Sequence, residues 1–236
     1  MTTAPPSSPG LTIAAVATGT LAPLSPHTVT SGIDKQPVAG QVAVTYDGLA
    51  GDAQGDTRHH GGPEKAVHHY PRDHYAAWHA ELGALPTLSA SAAFGENLSL
   101  TGLTEADVSI GDLFRAGTAL LQISQGRQPC WRLNARFGVA DMARRVQASG
   151  RTGWYYRVIE EGVIAPGDRL ALVDRPAAAW TIARLCRTLY ADPLNRDELR
   201  EIAALPMLAD GWRNLAASRL ATGSVEDWSR RLDSPQ

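Results

Sequence analysis

The sequence predicts an α+β protein: a barrel-like sheet domain over residues 11–175, then a small all-α unit of three helices over 176–236. Three observations predict this. Two similar turns, Ile110-Gly111-Asp112-Leu113-Phe114 and Pro166-Gly167-Asp168-Arg169-Leu170, each feed a short apolar strand, as Gly-Asp turns do in closed or barrel-like sheets. From Phe94 to Asp174 the pattern is mostly that of short strands. After Pro176 the composition changes, and Ile182, Leu185, Cys186 and Leu189 fall at i, i+3, i+4 and i+7 on one helical face.

Taken in order, residues 1–10 (Met1-Thr-Thr-Ala-Pro-Pro-Ser-Ser-Pro-Gly10) read as a disordered tail, with neither the charged nor the apolar region of a signal peptide. Leu11–Ala17 is a strand-like apolar run. Val38–Tyr46 alternates, placing Val42, Val44 and Tyr46 on one strand face. Gly48–His69 is rich in Gly, Asp and His and shows little periodicity, the mark of a long functional loop. Pro71 opens a helix that ends near Gly83, with Tyr75, Trp78, His79 and Leu82 on one stripe. A short helix is expected at about 139–148, stopped by Gly150. Three more follow at 181–190, 196–205 and 211–221, separated by Asp192-Pro193 and Pro206.

Composition narrows the function classes. A chain of 236 residues can bury a sizeable core without disulfides or structural metal. The net charge of −2 gives no global attraction to nucleic acid or anionic lipid. Within 175–236, nine Arg are balanced by eight Asp plus Glu, so the helical unit has no phosphate-binding stripe and is expected to dock on the sheet domain or a partner. No apolar run approaches the ~18 residues a membrane helix requires. Two cysteines fit a reducing compartment, so a cytoplasmic location is expected.

Chemistry concentrates in Ser124-Gln125-Gly126-Arg127-Gln128-Pro129-Cys130-Trp131-Arg132-Leu133-Asn134, which follows the apolar run Ala119–Ile123. A thiol between two arginines has the setting a thiolate needs, whether it attacks electrophiles or binds metal. Burying unpaired guanidinium groups is costly, which argues against a purely structural cysteine. Cys186, on its apolar stripe, reads as core. A cysteine-hydrolase role for Cys130 is disfavoured, because the local protease pattern is absent and no histidine follows His79. Upstream, Gly51-Asp52 and His59-His60-Gly61-Gly62-Pro63-Glu64-Lys65 combine paired glycines with one of only two lysines, Lys35 being the other. Backbone N–H groups there can approach a phosphate while Lys65 supplies counter-charge, although the Walker spacing is absent. Six of the seven histidines lie between His59 and His79, but their spacings match no common zinc set; solvated or core-edge positions are expected for them. In Phe94-Gly95-Glu96-Asn97-Leu98, Asn97 either meets a heterocycle edge or caps a turn.

The order Ser31-Gly-Ile-Asp-Lys35-Gln-Pro-Val38, Gly48-Leu-Ala-Gly51-Asp52, His60-Gly61-Gly62-Pro-Glu-Lys65, Phe94-Gly-Glu96-Asn97-Leu98, Gly111-Asp112 and Arg127-Gln-Pro-Cys130 resembles the MOSC domain, named for the C-terminal domain of molybdenum cofactor sulfurases. The resemblance extends from about residue 11 to the end of the sequence and is nearest to YiiM-like proteins, in which a three-helix unit follows the MOSC domain. It implies a mixed β-barrel-like fold with molybdopterin in a cleft and Cys130 as the thiolate ligand to molybdenum, a soft donor suited to a dithiolene-bound metal. It further implies that the pterin phosphate meets the loop of His60, Gly61 and Gly62, with Lys65, Ser31, Lys35 and Arg127 as further contacts. Asn97, Arg132 and Asn134 are expected at the pterin edge or the substrate.

Members of this family either reduce N-hydroxylated compounds, such as hydroxylaminopurine base analogues, or hand sulfur to the cofactor. No PLP domain and no four-cysteine set for an iron–sulfur cluster is present in this sequence, so neither cofactor is expected and electrons have to come from a separate reductase. The resemblance therefore implies a molybdenum-dependent reductase with a small-molecule N-hydroxylated substrate. The alternative is a non-catalytic cofactor carrier or sulfur-transfer accessory.

Overall fold

A computed structural model describes residues 10–55 and 61–235. The first strands tie the fold together. β1 (Leu11–Thr12) pairs antiparallel with β14 (Arg169–Asp174) at one flank. Two residues later β2 (Ala15–Thr18) pairs with β9 (Leu98–Leu100) and β5 (Gln36–Pro37) at the other. Between the flanks lie β10 (Leu113–Ala116), β11 (Ala119–Gly126), β12 (Trp154–Glu160) and β8 (Val67–Pro71). The order among the described residues is β1-β14-β10-β11-β12-β8-β9-β2-β5. Among the described residues the sheet does not close into a barrel; its two flanks are joined by the covalent segment Leu11–Thr18 instead of a continuous ladder. All pairs are antiparallel except β8 with β9, which makes the sheet mixed. A second sheet holds β6 (Val42–Thr45) between β7 (Gly48–Leu49) and β13 (Gly162–Ile164), and β3 (Ala22–Pro23) pairs with β4 (Thr30–Ser31).

Four expectations are revised. Val42 and Val44 face inward as the alternation requires, but the strand stops at Thr45 and Tyr46 is exposed in the turn to Gly48. The loop expected to reach His69 ends sooner, because Val67–Pro71 is a strand buried at every position. Hydrogen-bonded on both edges and covered on both faces, it has no alternation to read. His68 and His69 are consequently buried, not solvated. Pro71 terminates β8, and one 3₁₀ turn at Arg72–His74 precedes α1 (Tyr75–Leu82); Tyr75 and Trp78 are buried, while His79 is exposed.

After β11 come α2 (Arg132–Phe137), which the periodicity does not reveal, and α3 (Met142–Ser149). The helical unit contains α4 (Ile182–Tyr190), α5 (Arg196–Ala204), α6 (Asp210–Thr222) and a single turn, α7 (Ser229–Leu232). Thr181 and Asn195 cap α4 and α5 by accepting from Arg184 N and Glu198 N. Ile182, Leu185, Cys186 and Leu189 share one core with Ile123 and Trp154 of the sheet, so the helices pack on the strands. Burial pushes the Cys186 thiol up to about 12, which keeps it inert. A second core joins Tyr70, Trp78 and Phe94 to Leu133, Phe137 and Val146, with Tyr70 stacked on Phe94 at 3.8 Å. No described helix is long and apolar enough to cross a membrane.

Candidate functional site

One cavity gathers Cys130 with Ser31, Lys35, Asp52, Lys65, His68, Asn97, Arg127, Arg132 and Tyr155. These residues come from sequence segments about 100 residues apart, brought together because β8 lies between β9 and β12. β11 delivers Arg127, and the chain then turns at Pro129-Cys130 into α2. Gly32 lets the Ser31–Lys35 segment close the opposite wall: a Cβ there would lie 1.8 Å from Ala53 O. Four cations and one carboxylate line the cavity among the described residues, so its field favours an anion.

The two buried cations differ. Lys35 pairs with Asp52, which also accepts from Gly19 N at 2.8 Å and from Asn97 Nδ2 at 2.9 Å. Burial pushes the Lys35 ammonium below its ordinary value, and Asp52 pulls it back up. Arg127 is only 6% exposed, yet its Nη1 has no hydrogen-bond partner among the described residues. An orphaned buried guanidinium N–H is costly, and an anion bound in the cavity would remove that cost. Cys130, 7% exposed, lines the same space and supplies a soft sulfur donor. His68 Nδ1 lies 3.1 Å from Gly95 O, which can only accept, so Nδ1 carries the proton. Nε2 is thus a bare acceptor, and it is buried without a described partner. Burial, then the nearby Arg127 charge, holds His68 well below the usual imidazole range, so it is neutral. Burial likewise raises the Tyr155 phenol, and its ring packs against His68 at 4.8 Å.

Of the residues singled out in the sequence, Ser31, Lys35, Lys65, Asn97, Arg127, Cys130 and Arg132 line this cavity. Asn97, however, has committed its amide: Nδ2 donates to Ala17 O and Asp52, and Oδ1 accepts from His68 N. It holds Asp52 and β8 in place, with no amide hydrogen left for a heterocycle. Asn134 does not line the cavity. It donates to Leu232 O at 2.9 Å and accepts from Ala143 N at 2.8 Å, joining α2 to α3 and α7. Gly61 and Gly62 line a separate groove against the start of α6. They are turned there because Arg157 grips the Glu64 carboxylate and Ser124 Oγ donates to Glu64 O at 2.7 Å. His60 lies outside the described residues. His68 and Tyr155 are members that sequence reasoning missed; the Gly-Asp-His stretch contained the signal for His68, but nothing in the sequence points to Tyr155.

Glu96 shapes the wall from behind. Fully buried, it accepts from Tyr75 Oη at 2.7 Å, Ala92 N at 2.9 Å and Phe94 N at 3.0 Å, fixing the turn that presents Phe94 and Gly95. Burial pushes its carboxyl above the ordinary range, and these donors partly offset that. Glu96→Ala orphans three donors and is expected to lower stability by about 3 kcal/mol, read by urea denaturation.

Comparison with known proteins places the architecture. The family model "MOSC domain" matches residues 56–171, and "YiiM-like, 3-alpha helix domain" matches 180–223. Protein YiiM of Escherichia coli is 40% identical over 202 residues, covering 86% of this chain and 90% of that protein. The chain belongs to the MOSC-domain family, in its YiiM-like branch. The crystal structure of YiiM from Escherichia coli superposes with a TM-score of 0.80 at 33% identity, covering 95% of this chain and all of that one. A protein of Gibberella moniliformis named "Reductase" is 38% identical over 193 residues, 81% of this chain but 34% of its own length. MOSC domains are associated with the molybdenum cofactor, so this chain has a molybdenum-related role of the MOSC type.

Proposed function

We propose that the chain is a molybdenum-cofactor enzyme that reduces N-hydroxylated compounds, hydroxylaminopurine bases among them, with electrons from a separate reductase. The observation that carries the reading is the pairing of the Cys130 thiol with the Arg127 guanidinium, whose Nη1 has no partner among the described residues, in one cation-lined cavity. A soft sulfur donor beside an unmet anion site fits a metal-bearing, phosphorylated pterin. The name "Reductase" of the fungal relative supports the reaction class. When bound, the cofactor supplies the two-electron chemistry that removes oxygen from nitrogen.

The protein's own residues do the rest. Cys130 holds the metal through sulfur. Arg127 and Lys65 meet the phosphate, while Lys35 is neutralised by Asp52 and sets the wall. Arg132 lines the cavity, over the Trp131 ring at 5.0 Å, where it can meet a substrate. His68, neutral with Nε2 free to accept, can orient a hydroxyl or amino hydrogen.

Loaded protein supplied with a reductant and 6-hydroxylaminopurine is expected to release adenine, and Cys130→Ser to lose both turnover and molybdenum. Wild-type protein that retains molybdenum but turns over no N-hydroxylated compound would leave a carrier. Equal molybdenum in Cys130→Ser would remove Cys130 as the ligand.

A further inference from the structure

Residues 229–233 lie far from Cys130 in sequence, yet they cover the turn that carries it. Both neighbours of the cysteine are held by one residue: Arg231 Nη1 donates to Pro129 O, and Trp131 N donates to Arg231 O at 2.8 Å. The other arm of the guanidinium, Nη2, donates to Gln147 Oε1 of α3 at 2.6 Å. The next residue is fixed as well, since Leu232 is 1% exposed and its carbonyl accepts from Asn134 Nδ2 at 2.9 Å. One residue further, Asp233 forms a two-point ion pair with Arg144 of α3, both contacts at 2.7 Å.

The helical unit also closes on the strand leading into this turn. Ala209 N donates to Ser124 O at 2.9 Å. Gly126 leaves little room for a side chain, because a Cβ would lie 3.2 Å from both Cys186 Sγ and Trp212. The backbone before Cys130 is thus fixed by α4 and α6, and the backbone on either side of it by α7.

We infer that α7 is a strap that fixes the position of the Cys130 sulfur, with Arg231 as its positioning residue, so that the helical unit serves the site by carrying this strap back to it. The inference rests on Cys130 being the metal ligand. Arg231 does not line the cavity; it acts through Pro129 and Trp131. A sulfur at a fixed point suits a metal ligand, because its geometry is then set before the cofactor arrives. A thiol this buried reacts with an alkylating reagent mainly through local opening, and the strap sets how often its turn opens.

The test is the iodoacetamide alkylation rate of each cysteine in cofactor-free protein, resolved by peptide mass spectrometry, with buried Cys186 as internal reference. Arg231→Ala is expected to speed Cys130 alkylation about tenfold while leaving Cys186 unchanged. Arg231→Lys, which keeps one of the two guanidinium contacts, should fall between. Arg144→Ala loses only a half-exposed ion pair and should give a smaller rise with folding intact, so the test stands even if Arg231→Ala does not fold. Arg200→Ala, distant from the strap, should change neither rate. An unchanged Cys130 rate in Arg231→Lys and Arg144→Ala would overturn the strap, as would equal acceleration of both cysteines, which reports global loosening.

Molybdenum per chain in protein made by cofactor-producing cells is expected to fall in Arg231→Ala and hold in Arg200→Ala. If Cys130→Ser retains full molybdenum, the ligand reading fails. The alkylation rates still decide the strap, because they need no metal.

Discussion

Arg127→Met is expected to make the cofactor-free protein more stable and to abolish its retention of an anionic pterin. The two effects share one cause. Arg127 is almost wholly buried, and its Nη1 meets no acceptor among the described residues. Its charge also opposes protonation of Lys35 and His68. Replacing it with an apolar side chain of similar length removes a buried charge with an unmet N–H, a change expected to add about 1–3 kcal/mol to the stability of the empty protein. A bound phosphate or phosphate ester loses a charge-assisted hydrogen bond with the same substitution, about 3 kcal/mol or ~100-fold in affinity. Urea unfolding of cofactor-free protein measures the first effect, and pterin fluorescence after purification the second. A destabilised Arg127→Met protein that still retains pterin would show that Arg127 serves the fold and not a ligand. Lys35 is predicted to differ: with Asp52 as its partner, its loss leaves a buried carboxylate behind and destabilises the protein.

The contrast between these two cations was not legible in the sequence. Both stand in family-like motifs with neighbouring glycines, and only the fold shows that Asp52 reaches one and not the other. What the sequence did carry is local. The apolar stripe Ile182-Leu185-Cys186-Leu189 faces a single core because helical period and burial coincide there. The Gly-Asp turns mark the starts of β10 and β14 because a positive φ at Gly111 and Gly167 is needed beside each. β8 has no legible strand pattern because it is buried on both faces and carries two histidines where branched apolar residues are usual. The remaining misreadings arise from partners distant in sequence. Asn134 is committed by Leu232 and Ala143, Asn97 by Asp52 and Ala17, and the glycine pair is turned away by the grip of Arg157 on Glu64. A motif shows which residue types stand together; it does not show whether their hydrogen-bonding capacity is already spent.

The histidines of β8 lead to the second large effect, a steep loss of stability in mild acid. His69 is fully buried, with Nδ1 3.1 Å from Tyr156 Oη, its ring 4.3 Å from Trp154 and Nε2 without a described partner. Burial holds its pKa down to about 3, against 6.5 when unfolded. His68 is lowered in the same direction by burial and by Arg127. Above pH 6.5 both states hold these rings neutral, and the full stability is present. As pH falls from 6.5 toward 3, the unfolded chain takes up protons that the folded strand refuses, so stability is lost across that window. For His69 alone the loss at pH 4.5 is about 3 kcal/mol, and two such histidines give a slope approaching two protons. Denaturant unfolding between pH 7.5 and 4.5 measures the slope, and His69→Phe, which cannot titrate, should reduce it by about one proton. An unchanged slope in that variant would mean the ring is already protonated in the folded state. Because β8 bridges β9 and β12 beneath the cavity, the same acidification should release a bound cofactor before the helical unit melts. Pterin fluorescence would then be lost at a higher pH than the helical circular dichroism signal. Coincident loss of the two would mean that β8 and the helices unfold as one unit.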